Sequence, residues 1–102
     1  MPRVRVQDFL TFLSKKWLVD IVEQLRHDAK KFSELLENID NISNKMLSDR
    51  IKELVQLQFI NKIVYSLIPL NVKYELTEKG LVLVTLFEEI EKYTTLLEEN
   101  EE

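Results

Sequence analysis

The chain of 102 residues has no cysteine, a single glycine and two prolines. Without a thiol it has no disulfide scaffold, no thiolate zinc site, no cysteine nucleophile and no thiol redox switch. One glycine does not make a phosphate-binding loop, which needs several. His27 is the only histidine. It falls at the end of an expected helix, where an imidazole suits the dipole, and a metal site would need partners that the chain does not supply. No nucleophile stands beside a base and no carboxylate pair has a cleft to hold it, so neither an enzyme nor a cofactor is expected. A run of about 18 apolar residues, the length of a bilayer span, is missing. The start Met1-Pro2-Arg3-Val4-Arg5-Val6 also lacks the apolar core of a secretion signal. A cytoplasmic chain with no membrane partner is therefore the expectation.

What is present is a hydrophobic fraction of 45% and a charged fraction of 31%. That balance describes a small globular domain, not a disordered or collagen-like chain. The expected organisation is one domain over residues 1–97 and an acidic tail over residues 98–102. A chain this short buries somewhat above about 60% of its unfolded surface, a modest core that often profits from a second subunit. The formal net charge of −4 argues at first sight against a polyanionic partner. Its distribution does not: residues 1–29 sum to +1, residues 30–74 to +2 and residues 75–102 to −7. With a Debye length of about 8 Å at physiological salt, a polyanion meeting the middle of the chain feels that patch more than a tail pointing elsewhere.

From Gln7 to about His27, Leu10, Leu13, Trp17, Ile21 and Leu25 recur at three- and four-residue steps, and Phe9, Phe12, Leu18 and Val22 widen the stripe. The pattern predicts one long helix with a broad apolar face. Phe32 to Ile39 predicts a short second helix with Leu35, Leu36 and Ile39 inward. Asn41 is the candidate turn residue, because asparagine tolerates the left-handed conformation. Ser43 then caps a third helix over residues 43–57, with Leu47, Ile51, Leu54 and Val55 on one face and Asn44, Lys45, Ser48, Asp49 and Lys52 on the other. Beyond Gln58 the period changes to two. Phe59 to Tyr65 and Val72 to Leu76 read as the strands of a hairpin, residues 59–76, around the break Ile68-Pro69-Leu70-Asn71. Thr77 caps a last helix whose first turns are apolar nearly all round, so that it wants burial on two sides.

Helix, short helix, turn, helix, hairpin, helix is the order of a winged helix-turn-helix: mainly α, with a small hairpin. In that fold the helix after the tight turn lies in the DNA major groove and the hairpin touches the duplex beside it. Three-helix domains with a hairpin also serve as protein docking modules, which stays open on element order alone. The segments Lys31-Phe32-Ser33-Glu34-Leu35 and Ile42 to Leu54, together with Val72-Lys73-Tyr74-Glu75-Leu76-Thr77-Glu78-Lys79-Gly80, resemble the HxlR-type family of prokaryotic winged-helix transcriptional regulators, relatives of the MarR family. The resemblance runs from about Ser14 to Tyr93 and implies a DNA-binding regulator. It departs from the family pattern in four places. Ser14-Lys15 stand where glycines usually precede the lysine and tryptophan, here Lys16 and Trp17; Asn41 and Gln58 replace glycines on either side of the recognition helix; and Asn44 replaces a proline. Several family members sense oxidants through an N-terminal cysteine, a property not carried over to this chain.

The expected DNA-binding residues are Lys31, Ser33, Ser43, Asn44, Lys45, Ser48, Arg50, Lys52, Lys62 and Lys73. Asn44, Lys45 and Ser48 have the chemistry to reach base edges, asparagine on adenine, lysine on guanine and serine on either. Arg50 is expected to clamp phosphate through its guanidinium fork, with an intrahelical pair to Glu53 as the alternative. Asp49 would repel phosphate unless it pairs with Lys45 or Lys52. Ser33 is read as the cap of the second helix, placed to hold a phosphate on free backbone N–H groups, with Lys30 and Lys31 adding charge. Lys62 and Lys73 flank a wing tip that offers Leu67, Ile68 and Leu70 where many wings carry arginine, which weakens minor-groove reading. A homodimer is expected through long end helices, with Phe9, Phe12, Leu13, Trp17, Leu83, Leu86, Phe87, Ile90, Tyr93 and Leu97 at the interface. The same aromatics admit a ligand pocket, but their helical spacing explains them without one.

Overall fold

The computed structural model describes residues 4–99. The elements run α1 (Val6–Leu13), α2 (Leu18–Gln24), α3 (Phe32–Asn38), α4 (Asn44–Gln56), β1 (Ile60–Leu67), β2 (Leu70–Leu76) and α5 (Glu78–Glu99). The expected long N-terminal helix is two helices, broken at residues 14–17, where Trp17 takes a left-handed φ of 76°. Unbroken, it would be a rod of about 30 Å whose stripe faces one way. Broken, it serves two sites. Phe12 of α1 stacks on Phe59 with ring centroids 5.8 Å apart, while Leu18, Ile21 and Val22 of α2 are completely buried. The break also takes the Lys16 carbonyl out of the helical ladder, and Arg50 Nε donates to it at 3.0 Å.

Helices α2, α3 and α4 and the first half of α5 close over one core in which Leu35, Leu47, Leu54, Ile60 and Leu83 are inaccessible or nearly so. Leu83 therefore corrects one expectation: it fills the chain's own core and has no surface left for a partner. The turn between α3 and α4 is built on Asn41, at φ 68°. Ser43 caps α4 as expected, its Oγ accepting from the Met46 N–H at 3.1 Å. At the other end Phe59 N–H donates to Leu54 O at 2.9 Å and Gln58 N–H to Val55 O at 3.0 Å. These are the two bonds of a Schellman stop. Gln58 sits in the left-handed position at φ 67°, where a side chain costs about 1–2 kcal/mol relative to glycine. The helix exit is thus strained.

The hairpin is antiparallel, pairing Ile60 with Leu76 through to Leu67 with Leu70, with an irregularity between Val64 and Ser66. Lys30 and Tyr74 exchange backbone hydrogen bonds of 2.9 and 2.8 Å, which pins the loop before α3 to β2. A single bridging residue has no periodicity, so the sequence pattern does not announce it. The terminal helix starts as expected, Thr77 Oγ1 accepting from Gly80 N–H at 3.0 Å. It continues through Glu98 and Glu99, the first two residues of the expected tail. Residues 100–102, the rest of that tail, lie outside the described residues. From Glu88 to Glu98 every side chain is exposed. No helix among the described residues is long and apolar enough to cross a membrane.

Candidate nucleic-acid interface

The orientation of α4 is set by attachments at its middle and at its exit. Near its middle Arg50 donates to Lys16 O and, through NH1, to Glu53 at 2.9 Å, and Glu53 also receives Lys15 Nζ at 3.0 Å. At its exit the Lys79 ammonium donates to Leu57 O at 2.9 Å and Thr77 Oγ1 donates to Gln58 O at 2.6 Å. Helix α4 is therefore bracketed to the α1–α2 turn on one side and to the start of α5 on the other. The Arg50 side chain is only 14% exposed, which corrects its expected role. Its fork is spent on a backbone carbonyl and a carboxylate inside the chain, so the intrahelical alternative is the one observed.

With Arg50 turned inward, the outer face of α4 presents Asn44, Lys45 and Lys52 exposed and Ser48 and Asp49 half-buried. Lys45 and Asp49 form an ion pair at 3.0 Å with the lysine side chain 82% exposed. Such a surface pair along a helix is worth only about 0.3–0.5 kcal/mol, so Lys45 leaves it at small cost. Beside this face lies a cleft of about 300 Å³. Ser48, Lys52 and Gln56 of α4 line it together with Phe32 of α3 and with Lys62 and Tyr74 of the hairpin. The hairpin thus brings Lys62 to the same surface as Lys52, and neither has a carboxylate partner among the described residues.

The remaining expected residues divide. Ser43 caps α4 and stays exposed. Ser33 is not a cap: Lys31 precedes α3, its backbone N–H bonded to Glu34 at 2.9 Å, and Ser33 is an exposed residue of the first turn. Lys31 is exposed beside it. Lys30 is neutralised, because its ammonium is hydrogen-bonded to Asp28 and holds that carboxyl below the usual carboxylate range. Lys73 pairs with Ile63 and so points to the opposite sheet face from Lys62 and Tyr74. There its ammonium lies over the Tyr65 ring, 5.3 Å from the centroid. Gln56 is a cleft residue that sequence reasoning missed, since a polar position near a helix end carries no signal of what packs opposite it.

Among the expected dimer residues, Phe9, Phe12, Leu13, Trp17, Leu86 and Phe87 pack partly against the core of their own chain, whereas Ile90, Tyr93 and Leu97 are 51%, 64% and 66% exposed. A groove of about 450 Å³ between α1 and α5 is lined by Leu10, Leu13, Val19, Phe87, Ile90 and Thr94 among others. Leu10, 55% exposed, belongs to this surface although it was read only as part of the helical stripe.

Comparison with known proteins agrees with this arrangement. The model of the HxlR-like helix-turn-helix family matches residues 12–102. The HTH-type transcriptional regulator YodB of Bacillus subtilis is 36% identical over 89 residues, 87% of this chain and 80% of YodB. The uncharacterised HTH-type regulator YvaP of the same organism is 35% identical over 91 residues, covering 89% and 84%. The structure of reduced YodB superposes with a TM-score of 0.82 over 91% of each chain at 35% identity. That of the HTH-type regulator YtcD superposes with a TM-score of 0.84 over 96% of this chain and all of the other at 32% identity. A helix-turn-helix ending in an exposed polar recognition face, a wing packed beside it and these likenesses together define the chain as a winged helix-turn-helix transcriptional regulator that belongs to the HxlR-like family.

Proposed function

We propose that the chain acts as a homodimer that reads a pseudo-palindromic DNA site, with α4 in the major groove and the hairpin as its wing. The observation that carries the DNA side is the cleft in which Ser48 and Lys52 of α4 meet Lys62 of β1. Two unneutralised lysines from separate elements converge there on one surface, beside exposed Asn44 and Lys45. Phosphate neutralisation by Lys31, Lys52 and Lys62 supplies most of the affinity, and Asn44, Lys45 and Ser48 supply base preference. The dimer side rests on α5, whose second half is exposed throughout and on its own would be a marginal helix in water. Two-fold symmetry would set the recognition helices about 34 Å apart. Diamide-treated and quinone-bound forms of YodB are known. This chain has no thiol for diamide to oxidise, so that chemistry is not carried over to it.

The test is fluorescence anisotropy with a duplex selected by the protein from a randomised pool, against a shuffled duplex, across a salt series. Steep salt dependence and preference for the selected duplex are expected. Equal binding to both removes the sequence reading, and no binding at low salt moves the protein-docking reading to first place. Lys45→Ala and Asn44→Ala should each lower discrimination at one base pair by about 1–3 kcal/mol while leaving binding to the shuffled duplex nearly unchanged.

Arg50→Ala separates a bracket from a clamp. Loss of its bonds to Lys16 and Glu53 should destabilise the fold by about 1–3 kcal/mol. Thermal melting should then shift downward by roughly 4–8 °C per kcal/mol, with the salt slope of DNA binding unaltered. Lys52→Ala should instead leave melting alone and reduce the slope by about one unit per half-site. The opposite assignment of the two effects would return Arg50 to phosphate binding.

A further inference from the structure

The hairpin tip carries a surface that phosphate neutralisation does not use. From Ile63 to Val72 there is no charged residue, and at the two-residue turn Leu67, Ile68 and Leu70 are 76%, 95% and 70% exposed. Ser66 Oγ donates to the Pro69 carbonyl and closes the turn. Apolar side chains this exposed and contiguous mark a contact surface. The apolar surface suited to a second copy lies elsewhere, on α1 and the far half of α5. Charge indicates what the tip meets: lysines stand behind it on both strands, Lys62 on β1 and Lys73 on β2. Lys73 is three residues behind Leu70, about 10 Å at 3.4 Å per residue, and the minor groove is about 7.5 Å deep between two phosphate rows. A tip seated in the groove therefore brings that lysine to the level of the phosphates.

We propose that Leu67, Ile68 and Leu70 form an apolar wedge that enters the minor groove beside the recognition site and partly unstacks a base step, while Lys73 holds a bordering phosphate and Lys62 stays at the cleft beside α4. The inference rests on the DNA-binding reading above and adds a mode of recognition to it. Wedges of leucine, isoleucine or proline kink a duplex by roughly 20–90°. They favour easily unstacked pyrimidine–purine steps, so each half-site is predicted to carry a TA or CA step where the tip falls.

The experiment compares the wild-type chain with Leu67→Ser/Ile68→Ser on the selected duplex labelled with a donor and an acceptor at its ends, across salt concentrations. Both side chains are on the surface, so the variant should melt like the wild type. Wild-type binding should raise energy transfer as the duplex bends. The variant should bind about tenfold more weakly and lose the bend, because the apolar contact that seats the tip is gone. Retained bending in the variant overturns the wedge while leaving DNA binding intact. A change of the variant's mass in sedimentation makes the tip a contact between copies and overturns it too. No binding by the wild type at all overturns the underlying reading instead.

Discussion

Ile90→Glu together with Tyr93→Glu should convert a dimer into a monomer in light scattering and weaken binding to the selected duplex by about a hundredfold or more. The magnitude follows from chelation. Two linked half-site contacts bind more tightly than either alone by factors of about 10² to 10⁴, all of which a monomer forfeits. The choice of residues follows from burial: Ile90 and Tyr93 are 51% and 64% exposed, and neither belongs to the core. Glutamate at these positions meets water in the monomer and a second apolar helix in the dimer, where an unpaired carboxylate is costly. Leu86 and Phe87 make a poorer test, because both pack against their own core and their replacement would unfold the chain along with any interface. A wild-type chain that is already monomeric, or a variant that stays dimeric, would remove α5 from the interface. Lowered half-site affinity with an unchanged dimer would mean that the substitutions act on the DNA surface instead.

Much of this arrangement was legible in the sequence because its signals are local. Ser43 and Thr77 carry hydroxyls three residues before the N–H groups that they cap. Asn41 tolerates the left-handed turn that it forms, and the change of period at Gln58 marks the hairpin. What was not legible depends on partners distant in the chain. The apolar stripe from Phe9 to Leu25 is continuous at helical spacing, and nothing local reveals that Phe12 must reach Phe59 while Leu18 turns into the core. Trp17 in a left-handed conformation runs against its own propensity, so tertiary packing imposes the break. Arg50 reads as a phosphate clamp, with the Glu53 pair as the alternative, until the released Lys16 carbonyl is placed beside it. Leu83 reads as surplus apolar surface until the core is counted around it.

Gly80→Ala tests the joint on which both halves of the molecule depend. Gly80 lies in the first turn of α5, where helix propensity alone favours alanine by about 1 kcal/mol. Geometry reverses the sign. A Cβ at this position would sit 2.1 Å from the Phe59 carbonyl oxygen and 3.0 Å from Leu76 Cδ2. The carbonyl is backbone and already accepts the Thr77 N–H at 3.0 Å and the Thr77 hydroxyl at 3.2 Å. To make room it must give up bonds that fasten the start of α5 to the exit of α4, beside the strained Gln58. Overpacking of this kind typically costs 1–3 kcal/mol and occasionally more, and here no flexible side-chain end can absorb the clash. A net loss of about 2–3 kcal/mol is expected, which for a chain of this size lowers the melting temperature by roughly 10–20 °C. DNA affinity should fall with it even below the transition, because the same joint sets the angle between the recognition helix and the helix proposed to carry the partner. Thr77→Ala, which removes the cap and the hydroxyl's bonds to Gln58 O and Phe59 O but introduces no clash, should cost about 1–2 kcal/mol, less than Gly80→Ala. A Gly80→Ala chain that melts at or above the wild-type temperature would show that α5 stands further from Phe59 than the backbone contact requires. The coupling between dimer and recognition helix would then have to run through the Arg50 bracket alone.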